Sequence, residues 1–285
     1  MKYDKIEGLK KDISKLIMGN DNQTYFDEAA KLWDHWIEVG GNAFDTAHIY
    51  GGGSMEKLLG EWHRKRNNLN DLVIVAKGAH TPNCDPKSIS SQLTESLDRL
   101  QTETADIYIM HRDNTDIPVD EFIDVLNEEK SKGRINIFGG SNWTLERFKQ
   151  ANSWADSHKK NKLSVLNNNL ALSKMINPLW AGCISSNDDD ILDYLQENQV
   201  AHLSWSSQGR GYFLPDEITQ KIEDKITSDE SSWRKPGEHS SGPLSCYDSE
   251  DNRERKKRAF ELAAKMGVDR QNIAGAWPIH LKFPS

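Results

Sequence analysis

The chain has 285 residues, of which 28% are charged and 36% apolar, a soluble globular balance with length for one α/β barrel or two ordinary domains. Its formal net charge of −8 argues against a nucleic-acid partner, which calls for a basic face. No stretch approaches the roughly 20 apolar residues of a membrane helix, the N-terminal MKYDKIEGLKKDISKL has no apolar signal core, and the three cysteines, Cys84, Cys183 and Cys246, form no CxxC pair, so free thiols in a reducing cytoplasm are expected.

In chain order, Tyr3 to Ile6 and Ile13 to Met18 read as short strands around Glu7-Gly8, a hairpin leading into a first barrel strand. Thr24 to Val39 has Phe26, Ala29, Ala30, Trp33, Trp36 and Ile37 at helical spacing and stops at Gly40-Gly41. Ala43 to Ala47 is a strand, and Ser54 is placed to cap a helix through Arg64 with Glu56 in its first turn. The unbroken apolar run Leu72 to Ala76 implies a strand buried on both faces. Pro86 to Leu100 reads as helix, Ala105 to Met110 as strand, Pro118 to Ser131 as helix, Ile135 to Phe138 as strand and Leu145 to Ser157 as helix. Leu163 to Leu166 (strand), Asp188 to Asn198 (helix) and Val200 to Trp205 (strand) follow. Strand then helix recurs at roughly thirty residues, the size of a βαβ unit. Seven barrel-type strands can be placed, starting near Ile13, with a doubly wound open sheet as the competing architecture. Residues 214 to 252 are polar and break the rhythm. They read as a long rim loop with at most one short helix, followed by helices at Arg253 to Met266 and Gln271 to Leu281.

Chemistry-bearing side chains gather where strands end. Asp45 closes one strand, Lys77 a second and His111 a third, while Tyr50 follows Asp45 in a glycine-rich loop. In parallel α/β folds the C-terminal strand ends form the reactive rim. A free phenol, with pKa about 10, is a poor proton donor near neutrality. An adjacent ammonium lowers that value, and Lys77 can supply one, steadied by Asp45. His111 offers a second hydrogen-bond donor to an oxygen beside Tyr50, so the group can polarise and protonate a carbonyl. It contains no hydride source, so a cofactor has to be added. Taken singly, each residue also has an ordinary structural reading: a capping acid, a loop aromatic, a solvated lysine, a satisfied rim histidine. Asp188-Asp189-Asp190 reads as a helix N-terminus complementing the dipole and not as a metal site, and no His/Asp/Glu cluster has metal spacing. Trp143, Trp180 and Trp233 are candidate pocket walls, Trp33 and Trp36 candidate packing residues.

In combination, FDTAHIYGGGSMEKLLG at 44–60, VAKG at 75–78, SLDRLQTETADIYIMHRD at 96–113, GRINIFGGSNWT at 133–144 and HLSWSSQGRG at 202–211 resemble the aldo-keto reductase family, in its bacterial branch. The resemblance implies a (β/α)8 TIM barrel formed by residues 1–285 as a single domain. It implies reduction of an aldehyde or ketone to an alcohol, with hydride from NADPH (or NADH) and a tetrad of Tyr50, Lys77, Asp45 and His111. It places Ser141 and Asn142 on the nicotinamide carboxamide, with Asn169 where the family often has Gln. Trp205 stands where an aromatic stacks on the nicotinamide ring, and Ser206, Gln208 and Arg210 lie in the turn expected at the pyrophosphate. The partner expected is a small-molecule carbonyl substrate, with no nucleic acid and no membrane; the oligomeric state is not legible. One departure matters: the eighth strand and final helix, which in the family carry the 2′-phosphate contacts, are expected after residue 281 and missing from the sequence. A truncated product, a degenerate enzyme and a barrel completed by another chain are all open. The alternative function is accordingly a weak or inactive member of the fold with a nucleotide-binding or regulatory role.

Overall fold

A computed structural model describes residues 1–228 and 241–284, which form two compact units, residues 1–166 (with 284) and residues 167–283. The first unit opens with an antiparallel hairpin, β1 (Tyr3–Asp4) and β2 (Ile13–Ser14). The first strand of the main sheet is β3 (Met18–Gly19), so the barrel-type strand begins at Met18 and not near Ile13, whose segment belongs to the hairpin. Then come α1 (Phe26–Glu38), β4 (Ala43–Asp45), α2 (Ser54–Arg66), β5 (Val73–Gly78), α3 (Pro86–Leu100), β6 (Ala105–Met110), α4 (Val119–Ser131), β7 (Ile135–Ser141), α5 (Leu145–Ser157) and β8 (Val165–Asn167). Neighbours from β3 to β7 pair in parallel, and β5 and β6 are buried along their whole length, as a sheet covered on both faces requires.

Local chemistry explains most boundaries. Asp85 caps α3 by accepting from Ser88 N–H at 2.8 Å, with Pro86 in the first turn where no N–H is needed. Thr144 caps α5 in the same way. Ser54 does not cap α2: it is the first helical residue, Gly53 is the N-cap, and the Ser54 hydroxyl donates to Gly51 O at 2.9 Å. Beneath these helices Trp33 meets Phe44 and Trp62 edge-on at 6.3 and 5.5 Å, all three fully buried. Trp143 is also fully buried, packed edge-on against Phe122, so it is core and not a pocket wall.

The second unit carries α6 (Asp189–Asn198), β9 (Ala201–His202), α7 (Asp216–Ser228), α8 (Pro243–Tyr247), α9 (Glu250–Met266) and α10 (Arg270–Ile279). Strands β3 to β9 follow chain order, seven in the sheet among the described residues. Strand β9 is shorter than Val200 to Trp205, because past His202 the ladder reduces to a single bridge between Asn169 and Trp205. The stretch expected as a loop, 214 to 252, instead contains α7, α8 and the start of α9; residues 229–240, with Trp233, lie outside the described residues. In α7 the isoleucines Ile218, Ile222 and Ile226 recur every four positions, while its buried residues, Thr219 and Glu223, are polar. Thr219 donates to Gly211 O at 2.9 Å, and the Glu223 carboxylate accepts the Leu244 N–H at 2.7 Å at the start of α8. The unit's core comprises Leu179, Tyr212, Phe213, Cys246, Tyr247, Ala259 and Ala274. No disulfide joins the three cysteines, and burial pushes the thiols of Cys84 and Cys246 up to about 12 and about 11, so both stay protonated and inert. Asp188 is the N-cap residue of α6, with Asp189 and Asp190 in its first turn. Among the described residues no helix is long and apolar enough to cross a membrane.

Candidate active site

Parallel register brings successive strand ends to one edge. Asp45 lies opposite Val75, Lys77 opposite Ile109, Gly78 opposite Met110 and Met110 opposite Gly140. Asp45, Lys77, His111 and Ser141 therefore leave the sheet at the C-terminal ends of β4 to β7. Backbone bonds extend the ladder past the strands: Asn20 N–H to Asp45 O at 2.9 Å, His48 N–H to Lys77 O at 2.8 Å, His111 N–H to Gly78 O at 2.6 Å. Tyr50 opens a short 3₁₀ turn whose next three residues, Gly51, Gly52 and Gly53, have φ of +55°, +62° and +92°, a conformation that glycine tolerates best. Two non-glycine residues in the left-handed region, Ala79 after β5 and Asn142 after β7, also sit at this edge. Such strain, of order 1–3 kcal/mol per residue, concentrates at functional sites.

The tetrad side chains converge. Lys77 forms an ion pair with Asp45 Oδ1, with the two side chains 5% and 20% exposed. Its Nζ lies 5.2 Å from the centre of the Tyr50 ring. The His111 ring stands edge-on to Tyr50 at 5.8 Å. Burial by itself would lower the Lys77 pKa, but Asp45 and Tyr50 outweigh it and hold the ammonium above its ordinary value. Burial raises the Asp45 carboxyl against the pull of Lys77. Burial likewise raises the Tyr50 phenol, and Lys77 offsets only part of that, with Asp45 and Asp21 adding to the rise. This corrects the expectation of an acidic phenol: Tyr50 is a neutral hydroxyl at physiological pH, a proton donor and not a resident phenolate. His111 is held well below 6.5 by burial, then by Lys77, His80 and Arg112, so its imidazole is neutral and presents one N–H and one bare nitrogen. Its Nδ1 is buried without a hydrogen-bond partner among the described residues.

The expected cofactor residues fall in both units. In the first, Ser141 and Asn142 are buried at the tip of β7, where Asn142 Nδ2 donates to Ser141 Oγ at 3.0 Å. In the second, Asn169 Nδ2 donates to Trp205 O at 3.2 Å and to Tyr247 Oη at 3.1 Å, leaving its buried Oδ1 without a donor among the described residues. Trp205 is half-buried and fixed by its indole N–H on Asn167 O at 3.2 Å. Ser206 begins a tight turn in which its carbonyl accepts from Gly209 N–H at 2.9 Å. Gln208 packs beside Gly275 of α10. The Arg210 guanidinium lies 5.1 Å over the Trp180 ring, with Nε buried and without a hydrogen-bond partner among the described residues. An orphaned amide acceptor at Asn169 fits a carboxamide N–H, and an unpaired guanidinium donor fits a phosphate oxygen.

Two neighbours of the tetrad escaped the sequence reading. His80 stands edge-on to His111 at 4.9 Å, and Asp21 adds negative charge felt by Asp45 and Tyr50. Both lie two residues past a strand end, β5 and β3, so the strand-end rule that found the tetrad, applied to every strand, reaches them.

A family model described as the aldo/keto reductase family matches residues 15–283. The norsolorinic acid reductase of Aspergillus flavus is 25% identical over 243 residues, 79% of this chain and 58% of that protein. Norsolorinic acid reductase stcV of Emericella nidulans is 24% identical over 270 residues, 88% of this chain and 61% of that protein. The chain thus spans 58% and 61% of these relatives' lengths. Among solved structures, the thermostable aldo-keto reductase Tm1743, crystallised with the inhibitor epalrestat, superposes with a TM-score of 0.61 at 24% identity over 80% of each chain. The fold is therefore α/β of the aldo-keto reductase (β/α)8 type, with seven strands among the described residues.

Proposed function

We propose a carbonyl reductase on one premise: the chain belongs to the aldo/keto reductase family. The observation that carries the reading is the Asp45–Lys77–Tyr50 chain with His111 edge-on to the phenol, gathered at one strand-end edge. The substrate is a small aldehyde or ketone. Tyr50 donates a hydrogen bond to the carbonyl oxygen and passes its proton to it as negative charge develops there. Lys77 stabilises the phenolate that results, and Asp45 keeps the ammonium in position. Neutral His111 donates its N–H to the same oxygen. The nicotinamide cofactor, when bound, supplies the hydride to the carbonyl carbon.

In the first unit Ser141 and Asn142 would hold its carboxamide; of the second unit taken by itself, Asn169 would suit an amide, Trp205 an aromatic ring, and Ser206, Gln208 and Arg210 a pyrophosphate. NADPH is the cofactor proposed, in a single reductase domain working in the cytoplasm. The test has two arms. NADPH and NADH are titrated against the fluorescence of the nine tryptophans, and turnover of an aromatic aldehyde is compared in wild type and Tyr50→Phe. Quenching with NADPH, and loss of roughly 10²–10⁴-fold in kcat on removing the hydroxyl, are expected. Binding without turnover in the wild type would favour the nucleotide-binding alternative, and neither binding nor turnover would end both.

A further inference from the structure

The turn that carries Tyr50 is fastened from a different element. Arg99 stands in the last turn of α3, and its guanidinium reaches the segment between β4 and the first turn of α2. Nη1 donates to His48 O at 3.2 Å and to Glu56 Oε2 at 3.1 Å, and Nη2 donates to Glu95 Oε2 at 2.8 Å. The same Glu95 oxygen lies 2.9 Å from His48 Nε2. The Glu56 side chain is fully buried and that of Arg99 is 17% exposed, so this is not a solvated surface pair. At Gly53, where φ is +92°, an added Cβ would lie 2.5 Å from Arg99 Cζ, so the guanidinium rests directly against the turn.

We propose that Arg99 is a positioning residue for Tyr50, its guanidinium clamping the His48–Glu56 turn and fixing where the phenol stands relative to Lys77. The need for a clamp is physical. Three successive left-handed glycines make the turn possible and bring no side chains of their own to fasten it. One planar fork with several fixed donors can hold a carbonyl and two carboxylates together. A lysine, as a point charge, cannot span the three acceptors with the same geometry.

The consequence for turnover rests on the reductase reading; the consequence for the position of Tyr50 does not. Two variants separate a clamp from simple stability. Arg99→Lys keeps the charge, and the double variant Arg99→Met/Glu56→Gln removes guanidinium and buried carboxylate together, so that no buried charge is left unpaired, Glu95 being 55% exposed. With 3-fluorotyrosine installed at position 50, the fluorine resonance is recorded for wild type and both variants, each checked for wild-type circular dichroism. The resonance should move or broaden in both. Turnover of an aromatic aldehyde should fall roughly tenfold to a hundredfold, the scale of an ångström-level misplacement, with NADPH affinity changed by less than about twofold. A resonance that stays put in a folded variant overturns the proposal, as does unchanged turnover where the wild type reduces the aldehyde. Because the fluorine arm needs neither cofactor nor substrate, a wild type inert towards aldehydes whose resonance still moves on substitution defeats the reductase reading and leaves the clamp standing.

Discussion

Removing the ammonium beside Tyr50 tests the electrostatic core of the proposed reaction. In Lys77→Met the phenol would have to give up its proton with no adjacent cation to stabilise what remains. With Nζ 5.2 Å from the ring centre, Coulomb's law at an effective dielectric near 20 gives about 3 kcal/mol for the attraction between ammonium and phenolate. That energy is realised only as the proton leaves, so its loss falls on the barrier and lowers kcat by roughly 10²-fold. The sign is set by the electrostatics: Lys77 is the principal group opposing the burial that raises the Tyr50 pKa, so its removal raises that pKa further. The assay is steady-state reduction of an aromatic aldehyde across pH, with cofactor affinity measured separately. Lys77→Met/Asp45→Asn is the matched control, because the single variant strands a carboxylate whose side chain is only 20% exposed. If the control folds, binds cofactor and keeps kcat within about threefold of wild type, the ammonium–phenol coupling is not what drives the reaction.

Two stability predictions stand apart from catalysis. His202 is fully buried, its pKa pushed down from 6.5 to about 3 by burial, and its Nε2 has no hydrogen-bond partner among the described residues. Between pH 6.5 and about 3 the unfolded chain binds a proton that the folded chain refuses, so the stability from this group is complete above 6.5 and falls as pH drops through that window, by at most about 1.4 kcal/mol per pH unit. Urea unfolding of His202→Leu should show a flatter acid limb than wild type, and superimposable limbs would refute the assignment. Trp33→Ala removes a fully buried ring packed against Phe44 and Trp62, at a cost of about 3–5 kcal/mol on the urea scale with the tetrad geometry untouched. A loss under about 1 kcal/mol would mean the cavity collapses or that this cluster is not the core it looks to be.

Much of this protein could be read before any coordinates. The helices Pro86–Leu100 and Leu145–Ser157 and the strand Ala105–Met110 begin and end where the sequence puts them, because caps, apolar period and strand-length runs act over a few residues. The strand-end positions of Asp45, Lys77 and His111 were legible for the same reason. The reading failed at α7: Ile218, Ile222 and Ile226 do recur at helical spacing, but the two positions the fold buries most deeply are the hydrogen-bonded polar residues Thr219 and Glu223. It failed at Ser54, where the glycine before it takes the cap, and at Trp143, whose burial depends on Phe122.

What only the tertiary structure decided is non-local. Parallel register sets strand ends dozens of residues apart side by side. The balance between burial and the Lys77 charge makes the Tyr50 phenol harder to ionise, where adjacency to a lysine alone suggested the reverse. The hold of Arg99 on a turn more than forty residues earlier is of the same kind. Sequence encodes local conformation through interactions within a few residues. Desolvation, charge coupling and clamping depend on which distant side chains share a volume, and only the folded chain fixes that.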